Sequence, residues 1–493
     1  MYIDREVYKE MLDWKKRREF ESSRGLSHSA LSLEGPRQCG KTFLAFKFAK
    51  ENYKSFVYLN LTFEEHLNRF VQVCKEVPML MGKELYDKIF AQFNPAYENA
   101  PETLVVIDEI QESHYVYNTI RDILSSCEFH FLISGSYLGM ITGDREYFAP
   151  IGNLRSLVVN PVSFQEYLRA IGEHGRFMGL DLFGKSLRSD YKAIHDVYEN
   201  YIMIGGYPQA VSDHLEGSSP DEITDLHQAI FALVIKECKK RIKNDLEYDI
   251  FVELCQKAPQ TLLNEKRGMS LDWREVYSSE SKELDYSDVR TSLFYMRGCG
   301  LLNYCYLAKD CDLRKQAPLP MRLYYNDVGM AASIMANVSS DQAAGVIAEN
   351  FVYLSLNGRD KRINDSILHE YPAFGTCEYY EKISDALEDA DGDRACDQAG
   401  ISQRPEMTVG EIDFLLKSRK SKKTWAVEVK KGGKSSKTAK YLLESGKVDC
   451  VLYARGGPDA KGGISADGKI ATIPIYLIDR FDFDVGYSAA GKP

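Results

Sequence analysis

Short apolar runs, each closed by a polar or charged residue, recur through the first third of the chain. Ser29–Glu34 alternates apolar and polar residues with the two-residue period of a strand. Phe56–Leu61 (Phe-Val-Tyr-Leu-Asn-Leu) reads as a second strand. Leu104–Ile107 is wholly apolar, as buried parallel strands are, and ends in Asp108-Glu109. His130–Ser136 is another apolar strand, closing on Ser134 and Ser136. Helical segments lie between them, such as Thr42–Lys50, which has no glycine or proline. Residues 1–20 read as an amphipathic helix, with Val7, Tyr8, Met11, Leu12 and Trp14 among charges. Strand and helix thus alternate from about 29 to 165, which predicts a parallel sheet covered by helices.

The pattern then changes. Pro161–Leu168 opens a more helical region. Gly205-Gly206, followed by Pro208, breaks one helix and starts another. From about 226 to 310 the chain is mostly helical. Asp288–Arg297 places Val289, Leu293 and Met296 at helical spacing, Gly298 and Gly300 end it, and Leu301–Leu307 reads as a strand. Helices followed by a strand pair suggest a winged helix. Asp288 beside Arg290 and Arg297 makes the candidate recognition helix nearly neutral, so a groove reader and a packing module both stand. Residues 381–406 are acidic and run into a Gly/Ser/Gln/Pro-rich stretch, expected to be a mobile loop. Its Asp-x-Asp-Gly-Asp lacks the ligand order and closing Glu of an EF-hand. The expected domains are 1–205, 206–315 and 316–493.

Composition narrows the classes. A chain of 493 residues holds two or three domains. The net charge of −10 gives no general pull toward nucleic acid or membrane, so any basic function is local. Eleven cysteines stand singly, with no C-x-x-C pair, which argues against a zinc site and a disulfide framework. The charged start, Met-Tyr-Ile-Asp-Arg-Glu, lacks a signal-peptide core, and no apolar run approaches a membrane span. A reduced, cytoplasmic location is the expectation.

The sharpest chemical signal is Gly35-Pro36-Arg37-Gln38-Cys39-Gly40-Lys41-Thr42, a complete G-x-x-x-x-G-K-T loop between a strand and a helix. Backbone N–H groups in such a loop wrap the phosphates of ATP. Lys41 reaches the outer phosphates, and the Thr42 hydroxyl ligates Mg²⁺. The Cys39 thiol has no assigned role, because there the backbone does the binding. An acid at the carboxyl end of the 104–107 strand sits at the ligand edge of the sheet. Asp108 is expected to hold Mg²⁺ through water, and Glu109 to polarise the attacking water. Ser134 and Ser136 either sense the γ-phosphate or simply form a turn.

A second constellation lies near the far end. Glu411–Leu416 and Trp425–Lys430 alternate and flank the basic connection Lys417–Thr424, which predicts a hairpin. A turn centred between Lys420 and Ser421 makes paired numbers sum to 841. Ile412, Phe414 and Leu416 then face Val429, Val427 and Trp425 on an apolar face. On the other face Asp413 lies opposite Glu428, and Glu411 opposite Lys430. Opposed carboxylates repel and call for a counter-ion, for which a second Mg²⁺ or Mn²⁺ is the natural choice. Residues 411–440 hold ten Lys or Arg and only three acids, Glu411, Asp413 and Glu428, a basic patch of the kind phosphate-backbone binding requires. The bland alternative is a solvated hairpin with a surface Glu–Lys pair.

This Asp, hairpin, Glu-x-Lys order resembles the active-site core of restriction-endonuclease-like nucleases. The resemblance implies that Asp413 and Glu428 hold the metal, that Lys430 orients or activates water, and that Glu349 adds a ligand from a preceding helix. Together with Gly35–Thr42, Leu104–Gln111, Ile133–Ser136, Pro161–Phe164, Ile204–Pro208 and Tyr325–Gly329, the Glu411–Lys430 hairpin resembles a prokaryotic family of AAA-type ATP-binding proteins. That family carries a C-terminal restriction-endonuclease-like domain of unknown function. The implied fold class is α/β: a P-loop NTPase domain with a parallel sheet, a helical, winged-helix middle region and a C-terminal restriction-endonuclease-like α/β domain. Many members carry a Gly-Arg pair before Pro-x-Ser-Phe. Here Gly152-Asn153 stands there with Arg155 shifted, which leaves an arginine finger unassigned. The acidic loop 381–406 is also longer than the family pattern.

Two functions compete. One is a Mg²⁺-dependent ATPase whose nucleotide state controls a DNA- or RNA-binding, nuclease-like module. The other is an ATP-dependent switch that binds a protein partner on an inactive scaffold. Further copies of the chain, as a homo-oligomer, are the remaining partner class; a membrane is not. A small-molecule P-loop kinase ranks last, because Asp108-Glu109 favours attack by water.

Overall fold

The structure, a computed structural model, describes residues 2–23, 29–136, 138, 146–148, 154–265, 286–305, 307–309, 312–316, 322–336, 340–357, 378–380, 412–418, 420–431, 436–458, 462–485 and 487. Glu411, Gly152-Asn153 and the acidic stretch 381–406 lie outside them. The chain divides into two compact units. The first comprises Met1–Gly172, Ile204–Glu253 and Asp285–Leu302, and the second Glu173–Met203, Leu254–Leu284 and Asn303–Pro493.

In the first unit, β1 (Ala30–Glu34), β2 (Ser55–Asn60), β3 (Thr103–Asp108), β4 (His130–Gly135) and β5 (Leu154–Val158) form a sheet in the order β2-β3-β4-β1-β5. Every pairing in it is parallel. β3 and β4 are buried at every residue, as their unbroken apolar runs require. Val57, Leu59, Val105, Ile107, Phe131 and Ile133 share a core with Phe70, Ile89 and Phe90. The helices α1 (Glu6–Ser23) and α2 (Lys41–Asn52) begin later or run longer than the expected 1–20 and 42–50. Trp14 of α1 is buried and packs on Phe48 of α2, with centroids 6.3 Å apart.

The Pro-Val-Ser-Phe segment starts a helix, Phe164–Ala170, through a capping box of Ser163 and Glu166. The Gly-Gly-Tyr-Pro segment packs against it. Gly205 has φ +69°, which ends one helix, and Pro208 occupies the first turn of the next. A Cβ at Gly206 would lie 2.2 Å from the Val162 carbonyl oxygen, and that close approach is why this position has no side chain.

The second unit is built on an eight-stranded mixed sheet. Its strands are β7 (Leu307–Lys309), β8 (Asp312–Gln316), β10 (Glu378–Tyr380), β11 (Ile412–Lys417), β12 (Thr424–Lys430), β13 (Cys450–Arg455), β14 (Gly463–Ile464) and β15 (Ile470–Pro474). They run in the order β14-β15-β13-β12-β11-β10-β7-β8. A separate pair joins β6 (Leu302–Cys305) to β9 (Arg322–Tyr325). The single strand expected over 301–307 is therefore two strands in two sheets. Alternating apolar residues specify extended backbone but not the partner. The helix expected at 288–297 spans Tyr286–Gly298.

The β11–β12 hairpin keeps the predicted register. Phe414–Val427, Leu415–Ala426, Leu416–Trp425 and Lys417–Thr424 all pair with numbers summing to 841. It does not have one polar face, however. Leu415 and Ala426, on the side expected to be polar, are fully buried and share a core with Ala439 and Leu442 of the helix Lys437–Glu444. Residues on both faces are buried, Phe414 and Val427 on one and Leu415 and Ala426 on the other.

Candidate functional site

The phosphate loop joins β1 to α2. Gly35 has φ +132°, and a Cβ there would lie 2.4 Å from the Val159 carbonyl oxygen, so only glycine fits. Gln38 and Gly40 also take positive φ, at 62° and 89°, which bends the chain tightly around the loop's concave side. Gly40 is the N-cap of α2 and offers no side chain to cap it, leaving the helix's positive end to a ligand. Lys41 is buried and donates to the carbonyls of Gly35 at 3.0 Å and Pro36 at 2.6 Å. Burial lowers its pKa, with the nearby Glu109 and Asp108 among the opposing influences.

β4 lies between β1 and β3, so the acid strand is not adjacent to the loop strand. The contact is made by α2 instead. The Thr42 hydroxyl donates to Asp108 Oδ2 at 2.7 Å. Tyr58, on β2, donates to the same oxygen at 2.9 Å, and Ser134, on β4, donates to Oδ1. Asp108 is thus buried and held by three neutral hydroxyls. Glu109 follows at φ +52°, a left-handed conformation unusual for a non-glycine residue, and turns away from the strand. Its carboxylate accepts from Ser136 at 3.1 Å and from the Gln111 amide. The two serines at the end of β4 therefore each bond one of the two candidate acids.

Oxygen donors from a hydroxyl and a carboxylate, set beside a glycine loop, suit Mg²⁺ held with a phosphate. Thr42, Asp108, Glu109, Lys41, Ser134 and Ser136 are all brought to this one edge of the sheet. Several partners escaped the sequence. Tyr58 is one, although the alternation of β2 and the Asn60–Asp108 register could have placed it near. Arg5 donates to the Cys39 carbonyl at 3.1 Å and pairs with Glu166 at 3.3 Å, contacts with no local signal. Arg37 of the loop pairs with Glu237 of the helix Pro220–Cys238, and Arg241 with Glu112.

The second cluster lies at the hairpin. Asp413 and Glu428 are buried, as is Glu349 on the helix Ser340–Asn357. Asp413 Oδ2 accepts the Val429 N–H at 2.6 Å, and Lys430 Nζ lies 2.6 Å from Glu428 Oε2. Glu349 Oε1 accepts from Tyr324 at 2.7 Å and from Arg322 at 2.8 Å. Burial, then Glu349 and Glu428, push the Asp413 pKa well up, against Arg322 and Lys430. Among the described residues no three of His, Cys, Asp and Glu are grouped to hold a metal ion. Arg322 and Tyr324 were not anticipated. Lys417, Lys420, Lys422, Lys423 and Lys431 are exposed, but the fold also brings Asp484 to the Lys420 N–H and Asp449 to the Thr424 N–H. Among the described residues no helix is long and apolar enough to cross a membrane.

Comparison with known proteins bears on the first unit. Residues 27–168 match a family model described as AAA domain. None of the curated proteins matches the chain. Among solved structures, a Walker-type ATPase of Pyrococcus abyssi overlays with a TM-score of 0.41 at 14% identity, covering 68% of this chain and 96% of its own. The ORC2 protein of Aeropyrum pernix, in ADPNP–ADP complexes, gives 0.31 at 14%, covering 70% and 95%. The RuvB Holliday junction branch migration motor of Thermotoga maritima gives 0.27 at 16%, covering 66% and 92%. With every score below 0.5, these overlays add nothing to the family match. The first unit contains an AAA-type α/β domain on a five-stranded parallel sheet.

Proposed function

We propose that the chain binds ATP with Mg²⁺ and hydrolyses it at the edge of the first unit's sheet. The observation that carries this reading is the Thr42–Asp108 contact of 2.7 Å, because it joins the phosphate loop to the acid strand across β4. Bound Mg²⁺ supplies charge neutralisation on the outer phosphates. Lys41 releases the Gly35 and Pro36 carbonyls and donates to the phosphates instead. The loop's N–H groups and the start of α2 hold the rest of the phosphate chain. Asp108, fixed by Thr42, Tyr58 and Ser134, is a metal-side carboxylate. Glu109, oriented by Ser136 and Gln111, accepts a proton from the attacking water as its oxygen bonds to the γ-phosphorus and the bond to the bridging oxygen breaks.

Nucleotide state would then act on the helices of the first unit. Support for this comes from Arg37–Glu237, which ties the loop itself to a helix of the 204–253 segment. A ligand shifts such an arrangement only by binding its two states differently. The controlled element is the second unit, whose exposed lysines suit a nucleic-acid backbone. A protein partner on the same unit is the alternative. The test is ATP turnover with and without DNA or RNA, comparing wild type with Glu109→Gln. Turnover that the substitution removes supports the assignment, and stimulation by nucleic acid selects the first partner class. Turnover that Glu109→Gln leaves intact overturns the role given to Glu109.

A further inference from the structure

We propose that Arg322 is a resident cation of the acidic hairpin cluster and takes the place of a divalent ion, so that the second unit's carboxylates hold no metal. The inference rests on reading the hairpin as nuclease-like; it does not depend on ATP turnover.

The charges are few and can be followed individually. Asp413 of β11 feels the charges of two further buried carboxylates, Glu349 from a helix and Glu428 from β12. Opposite them stand one guanidinium and one ammonium. Arg322, on β9, is 1% exposed. Its Nη1 donates to Glu349 Oε1 at 2.8 Å, reaches the Asp413 carbonyl at 3.4 Å and lies 3.9 Å from Asp413 Oδ1. One nitrogen thus stands between two of the three acids proposed as ligands. Tyr324, from the same strand, bonds the oxygen of Glu349 that Arg322 uses. The remaining acid, Glu428, faces Lys430 at 2.6 Å.

A hard divalent ion needs several carboxylate or water oxygens directed at one point. Here Glu349 Oε1 already accepts two donors, Asp413 Oδ2 accepts the Val429 N–H, and a permanent positive charge lies between them. Arginine does not deprotonate at accessible pH, so it cannot yield by losing its charge. Nor can it leave without stranding two buried carboxylates, which is the costly half of breaking a buried pair. The absence of a metal-type grouping among the described residues agrees with this arrangement. The cluster then stabilises a nuclease-like sheet without the ion on which cleavage depends, and the unit is assigned to binding alone.

The experiment uses the full chain, treated with chelator and free of nucleotide, titrated with MnCl₂ and read by electron paramagnetic resonance and by melting temperature. Wild type is compared with Glu428→Gln, Arg322→Met and the double variant. The expected result is that wild type and Glu428→Gln bind Mn²⁺ identically. Arg322→Met, freed of the competing cation, should gain a site at least about tenfold tighter, with a Mn²⁺-dependent rise in melting temperature, and the double variant should lose it. A wild-type Mn²⁺ site that Glu428→Gln removes would overturn the proposal, as would a folded Arg322→Met that gains no site. If Arg322→Met does not fold, the comparison of wild type with Glu428→Gln still decides. ATP turnover by the same wild-type preparation tests the first unit's reading separately.

Discussion

The two units each bury acids on sheet strands and contain a lysine near them, yet they treat those acids in opposite ways. In the first unit Asp108 is held by the hydroxyls of Thr42, Tyr58 and Ser134. Lys41 donates to carbonyls rather than to the acids. Neutral donors fix a carboxylate's direction and leave its charge intact, and a lysine parked on carbonyls keeps its own charge for a ligand. In the second unit Glu349 and Asp413 sit against the Arg322 guanidinium, and Glu428 against Lys430. Two cations already stand against these three acids. The same residue types at similar burial are held by neutral donors in one place and mostly offset by internal cations in the other. What separates them is whether the hydrogen-bond donors carry charge.

The largest effect that could break this comparison is at Lys41. Lys41→Ala should bring ATP turnover to background, a loss of about a thousandfold or more, because preorganised donors to developing phosphate charge carry large rate terms. An unchanged rate would remove the phosphate-loop assignment. Glu109→Gln keeps the side chain's shape and its contact with Ser136 but removes the proton acceptor. ATP should still bind, measured by nucleotide-induced melting shift, while turnover falls about 10²–10⁴-fold. Tyr58→Phe removes one neutral donor to Asp108. The Mg²⁺ concentration for half-maximal turnover should rise about tenfold, the usual consequence of removing a group that orients a metal ligand. No change there would mean that Thr42 and Ser134 suffice. The smallest effect concerns the basic hairpin. Alanine at Lys430, Lys431, Lys434 and Lys437 should flatten the salt dependence of nucleic-acid binding, lowering the log–log slope by about 0.9 for each phosphate no longer neutralised. Binding insensitive to all four would favour a protein partner.

Much of the first site is legible in the sequence because its signals are local. The glycine loop, the strand–loop–helix order and the Asp-Glu strand end each occupy a few consecutive residues. The hairpin register is equally local, set by alternation on both arms and one turn centre. Other features depend on distant chain segments. Nothing near residue 412 says that β10 and β13 will flank the hairpin or that Ala439 and Leu442 will share a core with its second face. Nothing near Asp413 points to Arg322, which arrives from a strand ninety-one residues away. The basic excess over 411–440 is real, but Asp449 and Asp484 fold back against the hairpin from outside that window. Tyr58 and Arg5 belong to the same class, since a hydrogen bond between sheet neighbours follows strand order, which short motifs do not encode.

The position of β4 has a kinetic consequence. Ile133 pairs with Ser32 of β1 on one side and Ile107 of β3 on the other, so one strand sets the spacing between the strand that leads into the glycine loop and the strand that ends in Asp108. A cavity made in this strand, by Leu132→Ala for example, should loosen both at once. Nucleotide affinity and turnover would then decline together along a single line.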